Sequence, residues 1–226
     1  MKAETAEVPP QARSSSHAIS GERAPYRELG KRLFDIVFAS AMLAAVLPIL
    51  AALLIAVSLD GGAPLFGHRR VGRGGRYFRC LKVRTMVRDA EARLAGILAA
   101  DADLAAEWAR SHKLEDDPRV TPLGRFLRRT SLDELPQFWN VLRGDMSLVG
   151  PRPVTPDELA VYGPHRDAYL SVRPGVTGLW QVSGRNDLDF DARAELDSAY
   201  VRDISLMGDV RIAVRTTRAV LLATGK

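Results

Sequence analysis

The sequence predicts an α+β fold that is mostly helical, with a small β-sheet, a re-entrant membrane helix and interfacial amphipathic helices. Three observations predict it. An uncharged apolar segment covers residues 36–59, a glycine-rich turn joins two short apolar runs, and most later segments repeat apolar residues at helical spacing. A composition of 46% hydrophobic and 26% charged residues is ordinary for a folded chain.

The 226 residues divide into three parts. Residues 1–28 are rich in proline, serine and charge and lack periodicity, which predicts a disordered N-terminal arm. The apolar stretch after them begins too late and runs too long for a signal peptide. Residues 29–60 are the expected membrane-inserted part, and residues 61–226 form the expected cytoplasmic domain.

The 24 residues from Ile36 to Leu59 carry no charge. As a helix rising ~1.5 Å per residue they would extend roughly 36 Å, enough to cross a hydrocarbon core of about 30 Å. Pro48 argues against a straight crossing because it removes a backbone hydrogen bond. Arginines also stand on both sides of the segment, and positive residues favour the cytoplasm. We therefore expect a re-entrant helix that breaks at Pro48. A kinked spanning helix and a buried helix of a soluble protein are the alternatives.

The net charge is +5, with 32 Lys and Arg against 27 Asp and Glu. Such an excess suits an anionic lipid surface or a phosphorylated substrate, and a solvated basic surface would also explain it. Arginine supplies nearly all of the positive charge, and its planar fork binds phosphate well. Cys80 is the only cysteine, so no disulfide forms within one chain and a reducing compartment is expected. We expect Cys80 to be a small buried hydrophobe.

The elements after the apolar segment follow in order. Residues 64–71 and 76–84 predict a β-hairpin, and the glycine cluster between them is explained by a turn better than by a phosphate cradle. An extended loop is expected at 151–153 and another loop over 173–187. Predicted helices cover residues 87–110, 123–129, 135–142, 191–201 and 206–223. The last helix has an arginine row beside an apolar stripe, which fits a membrane interface or an ordinary surface helix equally well.

Two adjacent carboxylates, Asp133 and Glu134, follow Arg128 in the sequence. One interpretation is structural, because Ser131 and Glu134 have the S-x-x-E spacing of a capping box. Pro136 argues against it, since a proline there would delete an intrahelical hydrogen bond. The other interpretation is chemical. An ionised carboxylate near a helix N-terminus and cations can attack phosphorus, and an adjacent carboxylate can hold a divalent metal. Both interpretations stay open at this point.

Two further elements are candidates for ligand contact. Pro151 and Pro153 hold Arg152 in a stiff loop, which lowers the entropy lost when the arginine clamps a phosphate or a base. The same loop would also serve as a mere connector. The glycine-rich stretch that follows includes Arg173 and Arg185, and suits a nucleotide pocket or a membrane-proximal loop. The histidines are isolated, with no Cys or His at ligand spacing, so a zinc site is not expected.

These pieces, in this order, resemble the bacterial sugar transferase family, the monotopic polyprenyl-phosphate phosphoglycosyl transferases. The likeness runs from KRLFD at 31–35 to the C-terminal helix. It rests on KVRTM at 82–86, SLDELPQ at 131–137, RGDMS at 143–147, GPRP at 150–153 and RPGVTG at 173–178. Within the family the chain is similar to the short exopolysaccharide-initiating enzymes, which use UDP-galactose or UDP-glucose. One departure is Leu47, since the family often has serine before the helix-breaking proline.

The resemblance implies an activity and a location. The activity is transfer of a sugar 1-phosphate, galactose or glucose, from a UDP-sugar to undecaprenyl phosphate. UMP is released, and a covalent aspartyl intermediate is formed. This is the first membrane step of exopolysaccharide synthesis. The implied location is the bacterial cytoplasmic membrane, with residues 61–226 as a catalytic domain facing the cytoplasm. Membrane lipid and downstream glycosyltransferases are the candidate partners.

The resemblance also implies roles for individual residues. It assigns catalysis to Asp133 and Glu134, which are also expected to hold Mg²⁺, and it places the break of the membrane helix at Pro48. Arg128 and Arg152 are expected to bind the donor's phosphate and nucleotide. The other residues expected to bind substrate are Lys82, Arg84, Pro151, Pro153, Arg173 and Arg185.

Two functions of other classes stay open. One is a membrane-anchored, non-catalytic scaffold of a polysaccharide export complex. The other is a membrane-tethered nucleic-acid binder, suggested only by the arginine content. Nucleic acid is not expected as a partner, because only 7% of residues are aromatic and no stacking platform or recognition helix is evident.

Overall fold

The computed structural model describes residues 26–111, 114–183 and 189–221. The predicted arm therefore lies outside the described residues up to residue 25. The described chain begins with a π-helical turn at Tyr26–Gly30, so helical structure starts inside the span assigned to the arm.

The apolar segment forms helix α1, Lys31–Ser58, with Pro48 inside it. By length and composition α1 is able to cross a membrane. Helical structure continues through Pro48, so the chain stays helical at this residue, and the re-entrant course predicted for α1 stays a prediction. A proline inside a helix removes one hydrogen bond and favours a bend, while the turns on either side keep their own bonds.

One face of α1 packs along the domain, and the other faces are exposed. The buried residues recur at helical spacing and are Lys31, Phe34, Asp35, Ala39, Leu50 and Val57. Large exposed apolar side chains cover the remainder and include Leu33, Ile36, Val37, Phe38, Met42, Leu47, Ile49 and Ile55. A contiguous apolar surface of this kind marks an interaction with lipid or with another protein.

Both ends of α1 are fastened to the same domain. At its start the Lys31 ammonium lies 2.7 Å from the Asp209 carboxylate, and that pair is buried. At its end the Arg84 guanidinium donates to the Val57 carbonyl over 2.9 Å. The domain therefore contacts α1 along its length and not at one end alone.

The predicted hairpin is confirmed. Strands β1, Leu65–Val71, and β2, Tyr77–Val83, pair antiparallel, with Leu65 opposite Val83. A 3-10 turn at Arg73–Gly75 joins them, as the glycine cluster predicted. The outer edge of β2 is covered by the Asn140 side chain, which accepts from the Leu81 N–H over 2.9 Å and donates to the Arg79 carbonyl over 2.8 Å.

The single helix predicted over residues 87–110 is wrong, because two helices occupy this span. They are α2, Ala90–Ala100, and α3, Ala102–Ser111. Asp101 between them has extended backbone, and its side chain accepts from the Asp103 and Leu104 N–H groups. This is the N-terminal capping that aspartate favours over a helix interior.

The later helices agree with the prediction in kind and nearly in extent. They are α4, Pro122–Thr130; α5, Gln137–Arg143; α8, Phe190–Arg202; and α9, Leu206–Leu221. Two short helices, α6, Pro156–Ala160, and α7, Arg166–Ser171, were not predicted.

A second, parallel pair of strands was also not predicted. Strand β3, Ser147–Val149, pairs with β4, Gly175–Thr177, inside a stretch expected to be loop. A Cβ atom on Gly175 would lie 2.2 Å from the backbone nitrogen of Gly150, so glycine permits this approach. The strand pair links the two motif loops that the sequence left separate.

The main core lies where α1, α5, the parallel strands, α8 and α9 meet. Its buried members include Phe34, Cys80, Val141, Met146, Tyr200 and Ile212. Cys80 is buried as predicted. A smaller cluster, in which Val83 and Leu127 pack against Leu50 and Val57, holds the C-terminal half of α1 on the hairpin and α4.

Candidate active site

The two adjacent acids lie in a 3-10 turn at Leu132–Glu134 between α4 and α5. Ser131 ends α4 in the left-handed conformation, with φ of 57°, and its side chain makes no capping hydrogen bond to the turn. The capping-box interpretation of Ser131 and Glu134 is therefore wrong. The turn aims both carboxylates at strand β2, and Asp133 is buried, with 6% of its surface exposed.

Lys82 of β2 faces both acids. Its ammonium lies 2.6 Å from Glu134 Oε1 and 3.6 Å from Asp133 Oδ2. Burial alone would lower the pKa of Lys82, but the charges of Glu134 and Asp133 outweigh it, and the pKa lies above its usual value. Lys82 is therefore a fixed cation between two carboxylates.

The two carboxylates are in different surroundings. Burial raises the pKa of Asp133 above its usual value, and the nearby Glu134 charge raises it further, while Lys82 and Arg128 oppose this. The Asp133 side chain is 9% exposed and that of Glu134 is 36% exposed. A poorly hydrated carboxylate beside a more exposed one is an arrangement in which the two can have separate roles.

Arg128, in the last turn of α4, is placed by a close contact between α4 and the end of the hairpin. A Cβ atom on Gly124 would lie 1.9 Å from the Thr85 carbonyl oxygen, so only glycine lets the helix approach this closely. One turn later, Arg128 Nε donates to Thr85 Oγ1 over 2.9 Å. The Arg128 guanidinium is near enough to Asp133 to favour its ionised form.

The Arg152 loop lies near enough to Cys80 of β2 for the charge of the arginine to act on the thiol. Burial raises the pKa of the Cys80 thiol to about 11, and the charges of Lys82, Glu134 and Arg152 all bear on it. The structure therefore brings Lys82, Arg128 and the acid pair together near the end of β2, while the charge of Arg152 reaches Cys80 in the middle of the same strand.

Hydrogen bonds from three elements hold the Arg152 loop. The Pro151 carbonyl accepts from the Gly175 N–H of β4 over 2.8 Å. The Val154 N–H donates to the Tyr169 hydroxyl over 3.2 Å, and that hydroxyl donates in turn to a β1 carbonyl. Pro151 is fully buried. Pro151 and Pro153 thus fix the backbone conformation of this loop. Arg152 is the residue of the loop whose side chain can contact a ligand.

Two residues predicted to bind substrate make hydrogen bonds away from the acid pair. Arg84 donates to Asp60 and to the Val57, Ala63 and Met86 carbonyls, so it fastens the end of α1. Arg173 donates to the Gly144 carbonyl at the C-terminus of α5. Arg185 lies outside the described residues.

Sequence reasoning missed the residues that surround Arg152. Asp197 on α8 accepts from the Arg152 N–H over 3.3 Å, and the Tyr162 hydroxyl donates to the same carboxylate oxygen over 2.9 Å. The Trp180 ring lies 5.5 Å from the Arg152 guanidinium carbon. A signal for Asp197 was present in the sequence, since it shares the apolar face of its helix with Ala194 and Val201.

The two carboxylates of the acid pair are ligands of the kind that a magnesium ion prefers. Mg²⁺ is commonly held by one or two carboxylates together with substrate phosphates, and Asp133 and Glu134 supply two carboxylates facing the same cation. In the described part of the chain no third His, Cys, Asp or Glu joins them. Substrate phosphate oxygens and water can complete the coordination of such an ion.

Comparison with known proteins gives one matching family and several relatives. Residues 26–223 match the family described as bacterial sugar transferase. The UDP-galactose-lipid carrier transferase of Erwinia amylovora is 51% identical over 195 residues, covering 86% of this chain and 41% of that protein. The undecaprenyl-phosphate galactose phosphotransferase of Salmonella typhimurium is 50% identical with the same coverage. The chain thus spans about two fifths of the length of these two relatives.

A shorter relative is matched almost end to end. The exopolysaccharide production protein ExoY of Sinorhizobium fredii is 44% identical over 207 residues, covering 91% of this chain and 92% of that protein. The matched span of the chain includes the acid pair, Lys82, Arg128 and the Arg152 loop.

Proposed function

The chain belongs to the bacterial sugar transferase family, and from this premise we propose that it transfers a sugar 1-phosphate from a UDP-sugar to undecaprenyl phosphate and releases UMP. The names of its relatives support a sugar donor and a polyprenyl-phosphate acceptor. Both names contain galactose, which favours galactose over glucose as the sugar. Exopolysaccharide initiation follows from the similarity to a short exopolysaccharide production protein.

The observation that carries the proposal is the cluster of Asp133, Glu134 and Lys82, with Arg128 beside it. A donor diphosphate is an anion, so it needs cations at the site, and Lys82 and Arg128 supply them. A buried carboxylate next to those cations stays a competent nucleophile, since the cations oppose its protonation.

The reaction proceeds in two steps in this proposal. An Asp133 oxygen attacks the sugar-bearing β-phosphorus, the bond from that phosphorus to the bridging oxygen breaks, and UMP leaves with the bridging oxygen. An oxygen of undecaprenyl phosphate then attacks the same phosphorus and breaks its bond to Asp133. Two steps let UMP leave before undecaprenyl phosphate reacts, so the two phosphorylated substrates need not be bound at the same time.

Glu134 and Asp133 would together hold Mg²⁺ with the donor diphosphate. When bound, the metal neutralises charge on the phosphate oxygens. For Glu134 to take part, Lys82 must release it and turn to the incoming phosphate. Because the Glu134 carboxylate is 36% exposed, this exchange needs no rearrangement of the core.

The proposed setting is the bacterial cytoplasmic membrane. α1, with its exposed apolar faces, lies in the lipid, and the domain after it lies on the cytoplasmic side, where UDP-sugars are made. The undecaprenyl phosphate then reaches Asp133 from the bilayer, and the donor reaches it from water.

The test is an assay of the full chain in detergent. With UDP-galactose and undecaprenyl phosphate, UMP should be released in proportion to lipid-linked sugar phosphate, with parallel lines in double-reciprocal plots. UDP-glucose in a parallel arm tests the sugar. A purified, folded protein that releases no UMP from either donor would refute the proposal and favour the scaffold function.

A further inference from the structure

The backbone N–H of Arg152 lies between two prolines, which have no N–H of their own. It is therefore the single amide hydrogen of the Pro-Arg-Pro tripeptide. That N–H donates to Asp197 Oδ2 over 3.3 Å. The partner of this N–H is therefore a side chain of α8.

Asp197 is held in place by its surroundings. It is 2% exposed, and the Tyr162 hydroxyl donates to the same oxygen over 2.9 Å. The Tyr162 ring packs edge-on against Tyr169 and Phe190, each at 5.3 Å. A carboxylate fixed in this way is a rigid support for the loop in front of it.

The second Asp197 oxygen, Oδ1, is buried and has no hydrogen-bond partner among the described residues. A buried polar atom without a partner costs free energy, so stability alone does not explain an aspartate here. The Arg152 guanidinium is close enough for its charge to favour the ionised carboxylate. The contact between the two residues is therefore electrostatic as well as a hydrogen bond.

We propose that Asp197 is a positioning residue of the donor site: it holds the Arg152 backbone, and with it the direction in which the guanidinium leaves the loop toward the donor. The inference rests on the proposed function for the part that concerns the donor. Asp197 touches no substrate in this role and acts through Arg152. The Trp180 ring, whose centroid lies 5.5 Å from the guanidinium carbon, also contacts this side chain.

A pH effect follows from the same geometry. Burial raises the pKa of Asp197 to about 7, against the opposing effect of Tyr162 and Arg152. Tyr162 and Tyr169 have pKa values raised by burial, so they do not titrate near neutrality. The charged groups that bear on these tyrosines are Glu158 and Arg70, which are paired at 2.8 Å. The carboxylate is lost as pH falls through about 7, which weakens its hold on Arg152.

The first arm of the test is a double-mutant cycle in the UDP-galactose assay. Asp197→Ala should raise the donor KM about ten-fold with a smaller change in kcat, because a charge-assisted contact of the arginine is misplaced. Asp197→Asn should recover only part of the loss, since its carboxamide oxygen still accepts the Arg152 N–H but carries no negative charge. Arg152→Ala combined with Asp197→Ala should be no worse than Arg152→Ala alone. Additive losses would overturn the proposal.

The second arm measures the donor KM as a function of pH. It compares the wild type with Asp197→Asn, which keeps the shape of the side chain. The donor KM of the wild type should rise as pH falls through about 7, and this dependence should be absent in Asp197→Asn. Asp191→Asn, an exposed aspartate on the same helix, is the matched control and should behave as the wild type. The same pH dependence in wild type and Asp197→Asn would overturn the proposal.

The third arm is independent of activity. Hydrogen exchange of the peptide that contains Arg152 should be faster in Asp197→Ala, or in wild type at acid pH after correction for intrinsic exchange, than in wild type at neutral pH. If the wild type uses no UDP-sugar, the proposed function fails while this arm still tests the Asp197–Arg152 contact. Unchanged exchange in both conditions would show that Asp197 does not hold the loop.

Discussion

The ammonium nitrogen of Lys82 lies 2.6 Å from a carboxylate oxygen of Glu134, and each side chain is 36% exposed. An ion pair with this exposure contributes little to stability, because water solvates both partners. Its consequence is electrostatic: the lysine charge bears on the neighbouring Asp133, which is far less exposed.

Replacement of Lys82 should change the pH dependence of the reaction. The pKa of Asp133 is already raised by burial, and the Lys82 charge opposes that shift. In Lys82→Met the pKa should rise further, so activity that needs the carboxylate should be lost at a higher pH as the solution is acidified. We expect the acid limb of the kcat/KM profile to move up by about one pH unit. Lys82→Arg keeps the charge and should leave the limb near its wild-type position.

Asp133→Asn should keep the fold and lose turnover by at least about 10³-fold, since the carboxamide is no nucleophile. Mass spectrometry of wild type with UDP-sugar alone should find a hexose-phosphate adduct on Asp133. Asp116→Asn, at an exposed position, is the control and should retain activity. Double-reciprocal lines that intersect, with no adduct, would point to a single ternary complex and reduce Asp133 to a metal ligand.

The two donor arginines should respond differently to conservative changes. Arg152→Ala and Arg128→Ala should each weaken donor use by about ten-fold or more, the loss of one charge-assisted contact. Arg152→Lys should recover only part, because lysine lacks the planar fork. Thr85→Val removes the hydroxyl that accepts from Arg128 Nε and should cost less than Arg128→Ala. An unchanged donor KM and kcat in Arg152→Ala would remove this arginine from the site.

Arg84 should prove structural. Its guanidinium fastens the end of α1 through the Val57, Ala63 and Met86 carbonyls. Arg84→Ala leaves these carbonyls without that donor, and each buried one costs about 1 kcal/mol or more. We expect a lower melting temperature in detergent with the donor KM of the remaining folded enzyme unchanged. A raised donor KM at full stability would return Arg84 to the donor site.

The sidedness of α1 can be tested with cysteine labelling. Because both ends of α1 contact the same domain, we predict that residues before and after it lie on one side of the membrane. In a Cys80→Ser protein, single cysteines at Ser14 and Ala63 should react with the same impermeant reagent. Labelling from opposite sides would establish a spanning helix, and would leave the proposed chemistry standing.

For Pro48→Ala we expect a larger fraction of molecules with opposite labelling. Alanine restores the backbone donor that proline lacks, so the apolar segment becomes a stiffer helix that suits a crossing. The fraction of each labelling pattern in wild type and Pro48→Ala is the measurement. Identical fractions would show that Pro48 does not decide the topology.

The sequence by itself determined the elements whose causes are local. The apolar length of α1, the glycine turn of the hairpin and the helical periodicity of α8 are properties of neighbouring residues, and all three are confirmed. The adjacent acids Asp133 and Glu134 were also predicted as a pair, because no folding is needed to bring neighbours together. What their sequence spacing left open was whether they cap a helix or face a cation.

Only the tertiary structure decided which distant residues share a site. Lys82 and Glu134 are 52 positions apart, and Arg152 and Asp197 are 45 apart. Such contacts depend on the packing of β2 against the 3-10 turn and of α8 against the Pro-Arg-Pro loop. The periodicity of the sequence does not predict this packing. Arg84 shows the converse: it stands two residues from Lys82, yet its guanidinium holds the end of α1, because burial of that end leaves carbonyls that need a donor.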